Sequence, residues 1–265
     1  MKQEMSVLID REKCTGCGAC LADCQRRILE IQNGKAAVTG GNCLECGHCL
    51  AVCPADAVRL SGYHDKIIHT PEKNVFLSEK NLMAHLRFHR SIRQYKNIPV
   101  EKEKLDKIIE AGRLTPTAGN AQNVRYIVLQ NEREAIEDKA LAMYKTQSDL
   151  SRTLADRMEI TVEMLHKRLT RGFLFHNAPV VILVISQSEI NACLAARSME
   201  LMAEALGLGT VYVGLFARPA NTSNQLRQLL EVAEGEHIAV CLALGYPNVQ
   251  YLRSAPRKEA KVLWR

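Results

Sequence analysis

A chain of 265 residues with 47% hydrophobic side chains can pack one or two domains, and none of its apolar runs approaches the length of a membrane span. The net charge of +6 lies beyond residue 60, because residues 1–60 carry seven basic and seven acidic side chains. The later Arg and Lys residues are scattered along helical patterns, which argues against a nucleic-acid surface and for the phosphate of a small cofactor.

Residues 5–10 open the chain as a short apolar strand. A repeat of one cysteine spacing follows. Cys14, Cys17, Cys20 and Cys24 form the first copy, and Cys43, Cys46, Cys49 and Cys53 the second, which ends in Pro54. This is the run that holds cubane iron–sulfur clusters, in which the fourth cysteine of each copy ligates the other cluster. Three thiolates so closely spaced wrap one cluster in a tight loop, and the fourth must come from elsewhere. Cys14, Cys17, Cys20 and Cys53 are therefore assigned to one [4Fe-4S] cluster, and Cys24, Cys43, Cys46 and Cys49 to the other. Zinc sites need only four ligands, usually in two pairs. A disulfide framework suits a small secreted domain, and the polar residues 1–5 do not read as a secretion signal. A reducing, cytoplasmic setting is expected. Gln25 stands where Pro54 stands in the second copy, a change that removes no ligand. The segment resembles bacterial two-cluster ferredoxins over about residues 5–60.

Residues 28–38 read as a hairpin turning at Asn33-Gly34, and 57–60 as a closing strand. The polar stretch 61–79 is the natural boundary. The expected organisation is a cluster domain at 1–62, a linker and lead-in helix at 63–84, and a second domain at 85–265. Residues 78–89 and 101–114 read as helices, the second striped by Leu105, Ile108 and Ile109. A short strand is expected at 126–129. Leu150, Leu154, Met158, Val162, Leu165 and Leu169 keep helical spacing, so one long amphipathic helix is expected there. A buried strand at 180–185, a central buried helix at 191–206 stopped by Gly207 and Gly209, and strands at 211–215 and 238–244 complete the reading. Cys193 and Cys241 read as small core residues, and Trp264 as a packing or partner contact. No GxGxxG follows a strand, so a Rossmann nicotinamide site is not indicated.

Four stretches could serve a ligand, although taken alone the first two read more simply as an ordinary helix end and loop. Residues 89–93 place His89, Arg90, Ser91 and Arg93 together, and guanidinium forks match phosphate oxygens. Residues 116–122 offer a hydroxyl and two amides in Thr117, Asn120 and Gln122. Residues 207–216 could present bare backbone N–H groups, and Arg257 and Lys258 add cations near the end.

In this order the stretches H-R-S-I-R, P-T-A-G-N-A-Q, N-A-P-V-V-I-L-V, A-L-G-L-G-T and L-G-Y-P resemble the FMN-dependent nitroreductase family over about residues 85–265. The whole chain resembles the subgroup with a two-cluster ferredoxin fused ahead. The resemblance implies an α+β class with a mixed central sheet flanked by helices, and a homodimer with FMN at the subunit interface. It implies His89, Arg90, Ser91 and Arg93 at the phosphate, ribityl and pyrimidine side, and Thr117, Asn120 and Gln122 reaching the ring system from the partner subunit. It implies the Gly214 and Leu215 backbone at the N5 and O4 edge, and Arg257 and Lys258 at the phosphate. Asn123 replaces the proline usual in the family after the glutamine, and no catalytic side chain is expected. The reading is an iron–sulfur flavoprotein oxidoreductase passing electrons through the clusters and FMN to a small acceptor, nitroaromatic, quinone or enone-like. The donor is an external ferredoxin or NAD(P)H. A non-catalytic electron-transfer module and a redox or flavin sensor are the alternatives.

Overall fold

A computed structural model of the chain describes residues 7–69 and 77–265. They fall into two compact units, the first running to Val75 and also taking Thr117–Ala121, the second holding the rest. The start of the strand expected at 5–10 and part of the expected linker lie outside the described residues.

In the first unit, β1 (Val7–Ile9) pairs antiparallel with β4 (Val58–Leu60), and β2 (Leu29–Gln32) with β3 (Lys35–Val38). Short helices α1 (Ala19–Ala22) and α2 (His48–Ala51) each follow a left-handed glycine, Gly18 or Gly47. The cysteine repeat is a backbone repeat as well. Left-handed residues recur 29 positions apart at Gly16 and Glu45, Gly18 and Gly47, and Arg27 and Asp56. The β2–β3 turn is left-handed at both Asn33 and Gly34, as a two-residue hairpin with right-handed strand twist requires. Gly16 has a second constraint: a Cβ there would lie 2.1 Å from the Gly34 carbonyl oxygen.

The second unit is three-layered. A four-stranded sheet runs in the order β5 (Arg125–Leu129), β6 (Val180–Ser186), β8 (His237–Gly245) and β7 (Gly209–Tyr212). The α+β class holds. In place of the mixed sheet expected, all three pairings among the described residues are antiparallel. β6 is apolar along its whole length because both of its faces are covered. Val180, Ile182 and Val184 pack with α4 (Lys102–Arg113) and α8 (Glu189–Ala205), while Val181, Leu183 and Ile185 pack with the opposite helical layer. That layer holds α5 (Arg133–Thr146), α6 (Ser148–Arg157), α7 (Val162–Arg168), α9 (Gly214–Thr222) and α10 (Asn224–Leu229).

The long helix expected from Leu150 to Leu169 is two helices, α6 and α7. α6 ends in a Schellman turn: Glu159 is left-handed, Ile160 N–H donates to Ala155 O, and Glu159 N–H donates to Asp156 O. Thr161 then caps α7 by accepting from Met164 N–H. α8 ends in the same way at Gly207. Its burial is one-sided, however, with Ile190, Leu194 and Cys193 exposed, so Cys193 is not a core residue. Cys241 is buried, and burial pushes its thiol far up. The strand expected at 211–215 stops at Tyr212, and Gly214 and Leu215 open α9 instead. Among the described residues no helix is long and apolar enough to cross a membrane.

Candidate functional site

The repeat brings the cysteines together in two sets. Cys14, Cys17, Cys20 and Cys53 line one cavity of the first unit, and Cys24, Cys43, Cys46 and Cys49 line another. Each set takes three cysteines from one copy and the fourth from the other. Backbone N–H groups point at three sulfurs: Ala36 at Cys14 (3.4 Å), Glu45 at Cys43 (3.3 Å) and Ala57 at Cys53 (3.3 Å). The Ala36 N–H, and after it that of Gly16, holds the Cys14 thiol below its ordinary range. Burial pushes Cys20 up and Cys49 up to about 11. Eight sulfurs in two sets of four, with backbone donors on three of them, fit the donor chemistry of cubane iron–sulfur clusters.

In the second unit, residues 89–93 leave α3 (Glu79–Phe88) and lie against the edge strand β7, where Ile92 N–H donates to Thr210 O at 2.8 Å. Ile92 is buried over Gly209, where a Cβ would come within 2.3 Å of it. Gly207 and Gly209 are therefore glycines for a helix stop and for close packing, not for presenting backbone to a ligand. Tyr95 anchors the same segment by donating to Ile92 O (2.7 Å) and Ala243 O (3.2 Å), and burial pushes its hydroxyl far up.

Arg90 turns one guanidinium nitrogen back onto the carbonyls of Arg87 and His89, which end α3. A second guanidinium nitrogen, Nη2, is buried and has no hydrogen-bond partner among the described residues. A buried charged donor left unmatched is costly, so this atom fits an anionic oxygen. Ser91 O accepts from Tyr251, and Arg93 is exposed. The His89 ring faces α8 on both sides, towards Glu204 through Nδ1 and Glu200 through Nε2. Gly214 and Leu215 supply the first N–H groups of α9, which helix geometry leaves without intrahelical acceptors. Arg257 lines a cleft with Leu86, Arg87, Ser254 and Ala255, and Lys258 follows it on the exposed tail.

Residues 117–122 divide between the units. Within the first, Asn120 Nδ2 donates to the carbonyls of Leu44 and Glu45, 3.0 Å each, in the loop that carries Cys43 and Cys46. Thr117 belongs to the same unit, whereas Gln122 lies in the second, on a cleft with Arg113, Tyr126 and Glu236. Asn123 has a structural use, since its Oδ1 accepts from Asn191 Nδ2 at 3.1 Å. Trp264 is almost fully exposed.

Two features escape sequence reading. Glu137 is buried on α5 and accepts from Gly172, Leu174 and Phe175 N–H at 2.8–2.9 Å. Glu200 and Glu204 face His85 and His89. Acidic residues in a helix read as a solvated face, and the matching four-residue steps in the two helices were the available signal.

The described residues thus hold two cysteine sets in the first unit and, in the second, a half-buried arginine with one guanidinium nitrogen buried and unmatched. Residues 86–246 match the nitroreductase family, and residues 6–55 match a 4Fe-4S dicluster domain. The chain belongs to the nitroreductase family, with a ferredoxin-type domain ahead of the nitroreductase part. An FMN reductase (NAD(P)H) of Bacillus subtilis is 30% identical over 168 residues, 60% of this chain and 63% of the reductase, less than two thirds of that relative. A ferredoxin of Pyrobaculum islandicum is 42% identical over 53 residues, 20% of this chain and 50% of the ferredoxin. The fold is shared with a nitroreductase with bound FMN from Bacteroides fragilis, at a TM-score of 0.58 and 16% identity, over 71% of this chain and 100% of that one.

Proposed function

We propose that this chain is an iron–sulfur flavoprotein that binds two [4Fe-4S] clusters and FMN and reduces a small acceptor of nitroaromatic, quinone or enone type. The observation that carries the flavin reading is the buried, unpartnered Nη2 of Arg90 beside a segment fixed on β7. When bound, the clusters supply one-electron carriage, and the flavin supplies exchange between one- and two-electron chemistry.

The residues of this chain bind and orient. Arg90 offers a charge-assisted donor to the flavin phosphate, with Ser91 and Arg93 beside it and Arg257 and Lys258 adding cationic charge from the tail. His89 holds the turn that aims Arg90, because its ring is committed to α8. The N–H groups of Gly214 and Leu215 offer donors to the polar edge of the ring system. Thr117 and Gln122 reach a second subunit's flavin, and Asn120 adds only its carbonyl oxygen, since its Nδ2 is engaged. A homodimer is supported by α3, which has no buried residue and exposes Met83, Leu86 and Phe88. Cys14, Cys17, Cys20 and Cys53 hold one cluster, and Cys24, Cys43, Cys46 and Cys49 the other.

The test uses the full chain, anaerobic and cluster-loaded. Arg90→Ala should weaken FMN binding at least tenfold by fluorescence titration, and excess FMN should restore turnover of a nitroaromatic. Unchanged FMN affinity would remove the central support. NADH, NADPH and a reduced ferredoxin, mixed separately with the loaded protein, identify the donor by which of them bleaches the flavin absorbance.

A further inference from the structure

The geometry points to a metal site distinct from the cysteine sets, in which His85, His89 and Glu204 hold one borderline divalent cation of the zinc type. The inference does not rest on flavin binding. His85 lies in the last turn of α3 and His89 is its C-cap, so the i, i+4 step sets both imidazoles on one side. Glu204, in the last turn of α8, presents one carboxylate oxygen to each ring: Oε1 to His89 Nδ1, and Oε2 to His85 Nε2 at 2.7 Å. One candidate ligand atom from each residue lies within 4.8 Å of the others. Two imidazole nitrogens and a carboxylate oxygen suit zinc, which binds such atoms at about 2.0–2.2 Å and takes a fourth ligand from solvent. His85 is about one-third exposed (34%) and gives a way in.

Two further observations separate this trio from a chance ion pair. The first is alignment. His85 Nε2 and Glu204 Oε2 are buried atoms at contact distance, yet neither makes a hydrogen bond among the described residues. Two ligand atoms facing one cation need proximity without the donor–acceptor alignment of a hydrogen bond, whereas His89 Nδ1 and Glu204 Oε1 are hydrogen-bonded, a contact that a bound cation would displace.

The second is the support behind His89. Its other nitrogen, Nε2, lies 3.3 Å from Glu200 Oε1, and Glu200 is only 2% exposed. Glu200 is itself fixed by Thr210 Oγ1 and Tyr212 OH, both at 3.2 Å, and by Arg197. Metal-bound histidines commonly donate their second ring N–H to such a carboxylate, which fixes the tautomer and leaves the first nitrogen to the metal. Here that first nitrogen is Nδ1, which faces Glu204. A bound cation would tie the end of α3 to α8 and, through Glu200 and Thr210, to β7.

The test is zinc content. The cluster-loaded full chain is equilibrated anaerobically with Zn²⁺, freed of unbound metal by desalting, and assayed for zinc and iron by mass spectrometry. Wild type should retain about one zinc per chain more than His85→Ala or Glu204→Gln, with equal iron in all three as the control for folding. Equal zinc in wild type and both variants would overturn the proposal. Zinc-edge X-ray absorption of the wild-type protein decides the matter should a variant fail to fold. A first shell of nitrogen and oxygen is expected, and a sulfur-dominated shell would overturn the proposal.

Discussion

Among the described residues, the buried cluster of the first unit contains nine side chains, three of which are Cys14, Cys20 and Cys49, with Cys24, Cys43 and Cys53 packed against it. In the second unit β6 alone buries seven consecutive residues between two helical layers. One unit gathers its chain around sulfur, and the other around aliphatic side chains. A domain of about 60 residues has little apolar surface to bury, so under the proposed cluster binding much of its stability would come from its metal ligands. The larger unit can lose a ligand and keep its fold. Motif-level reading suits the first kind of architecture, and periodicity suits the second.

Breaking a thiolate set should therefore have the largest effect. In the proposed two-cluster arrangement, Cys53→Ala removes the ligand that the second copy lends to the first. Iron should fall from about eight to about four per chain. Alkylation under anaerobic, native conditions should then label Cys14, Cys17 and Cys20, while Cys43, Cys46 and Cys49 stay protected. Labelling of the latter three instead would reverse the crossed assignment. Far-UV circular dichroism should keep the helical signal, since most of the helix belongs to the second unit.

The corresponding break in the second unit is Glu137. It satisfies three backbone N–H groups of the 172–175 turn that leads to β6. Glu137→Ala leaves those donors buried without an acceptor and should cost about 2–3 kcal/mol in urea unfolding. Glu137→Gln, which keeps one acceptor oxygen, should cost less. An alanine variant within about 0.5 kcal/mol of wild type would show that water satisfies the turn.

Sequence reading succeeded where one physical rule acted alone. The Asn33-Gly34 turn, the α4 stripe and the two-faced β6 each follow from a local pattern. It failed where a tertiary contact replaced the usual signal. The leucines from Leu150 to Leu169 keep helical spacing across a break because both α6 and α7 set them into the same core. The residue that ends α6 is a left-handed glutamate, which carries none of the marks of a glycine or proline stop. α5 gives no clear stripe because the buried Glu137 interrupts the apolar face of Ile136, Ala140, Leu141 and Tyr144. In the site, the cysteine sets follow from spacing, since ligand reach is local. The commitment of the His89 ring to Glu200 and Glu204 does not, because it depends on α3 meeting α8, 115 residues away in sequence for the Glu204 contact.

The smallest effect sharpens the same contrast, at the edge of the second unit's sheet. Arg125 on β5 meets Glu236 just before β8, with Nη2 to Oε2 at 2.8 Å and side chains 40% and 20% exposed. The Arg125 guanidinium, helped by the Ala233 N–H, holds the Glu236 carboxyl below its ordinary range. A carboxyl whose folded pKa is depressed adds stability above its unfolded value of about 4.3, and that stability is lost as pH falls through the folded value. Part of the pair is open to solvent, so Glu236→Gln should cost less than about 1 kcal/mol near pH 7. The gap between variant and wild type should close below about pH 4, and narrow with added salt near neutrality. Urea unfolding followed by circular dichroism at several pH values measures that gap. A gap unchanged at low pH would assign the contribution to hydrogen bonding with Ala233, and the charge at this sheet edge would then be incidental.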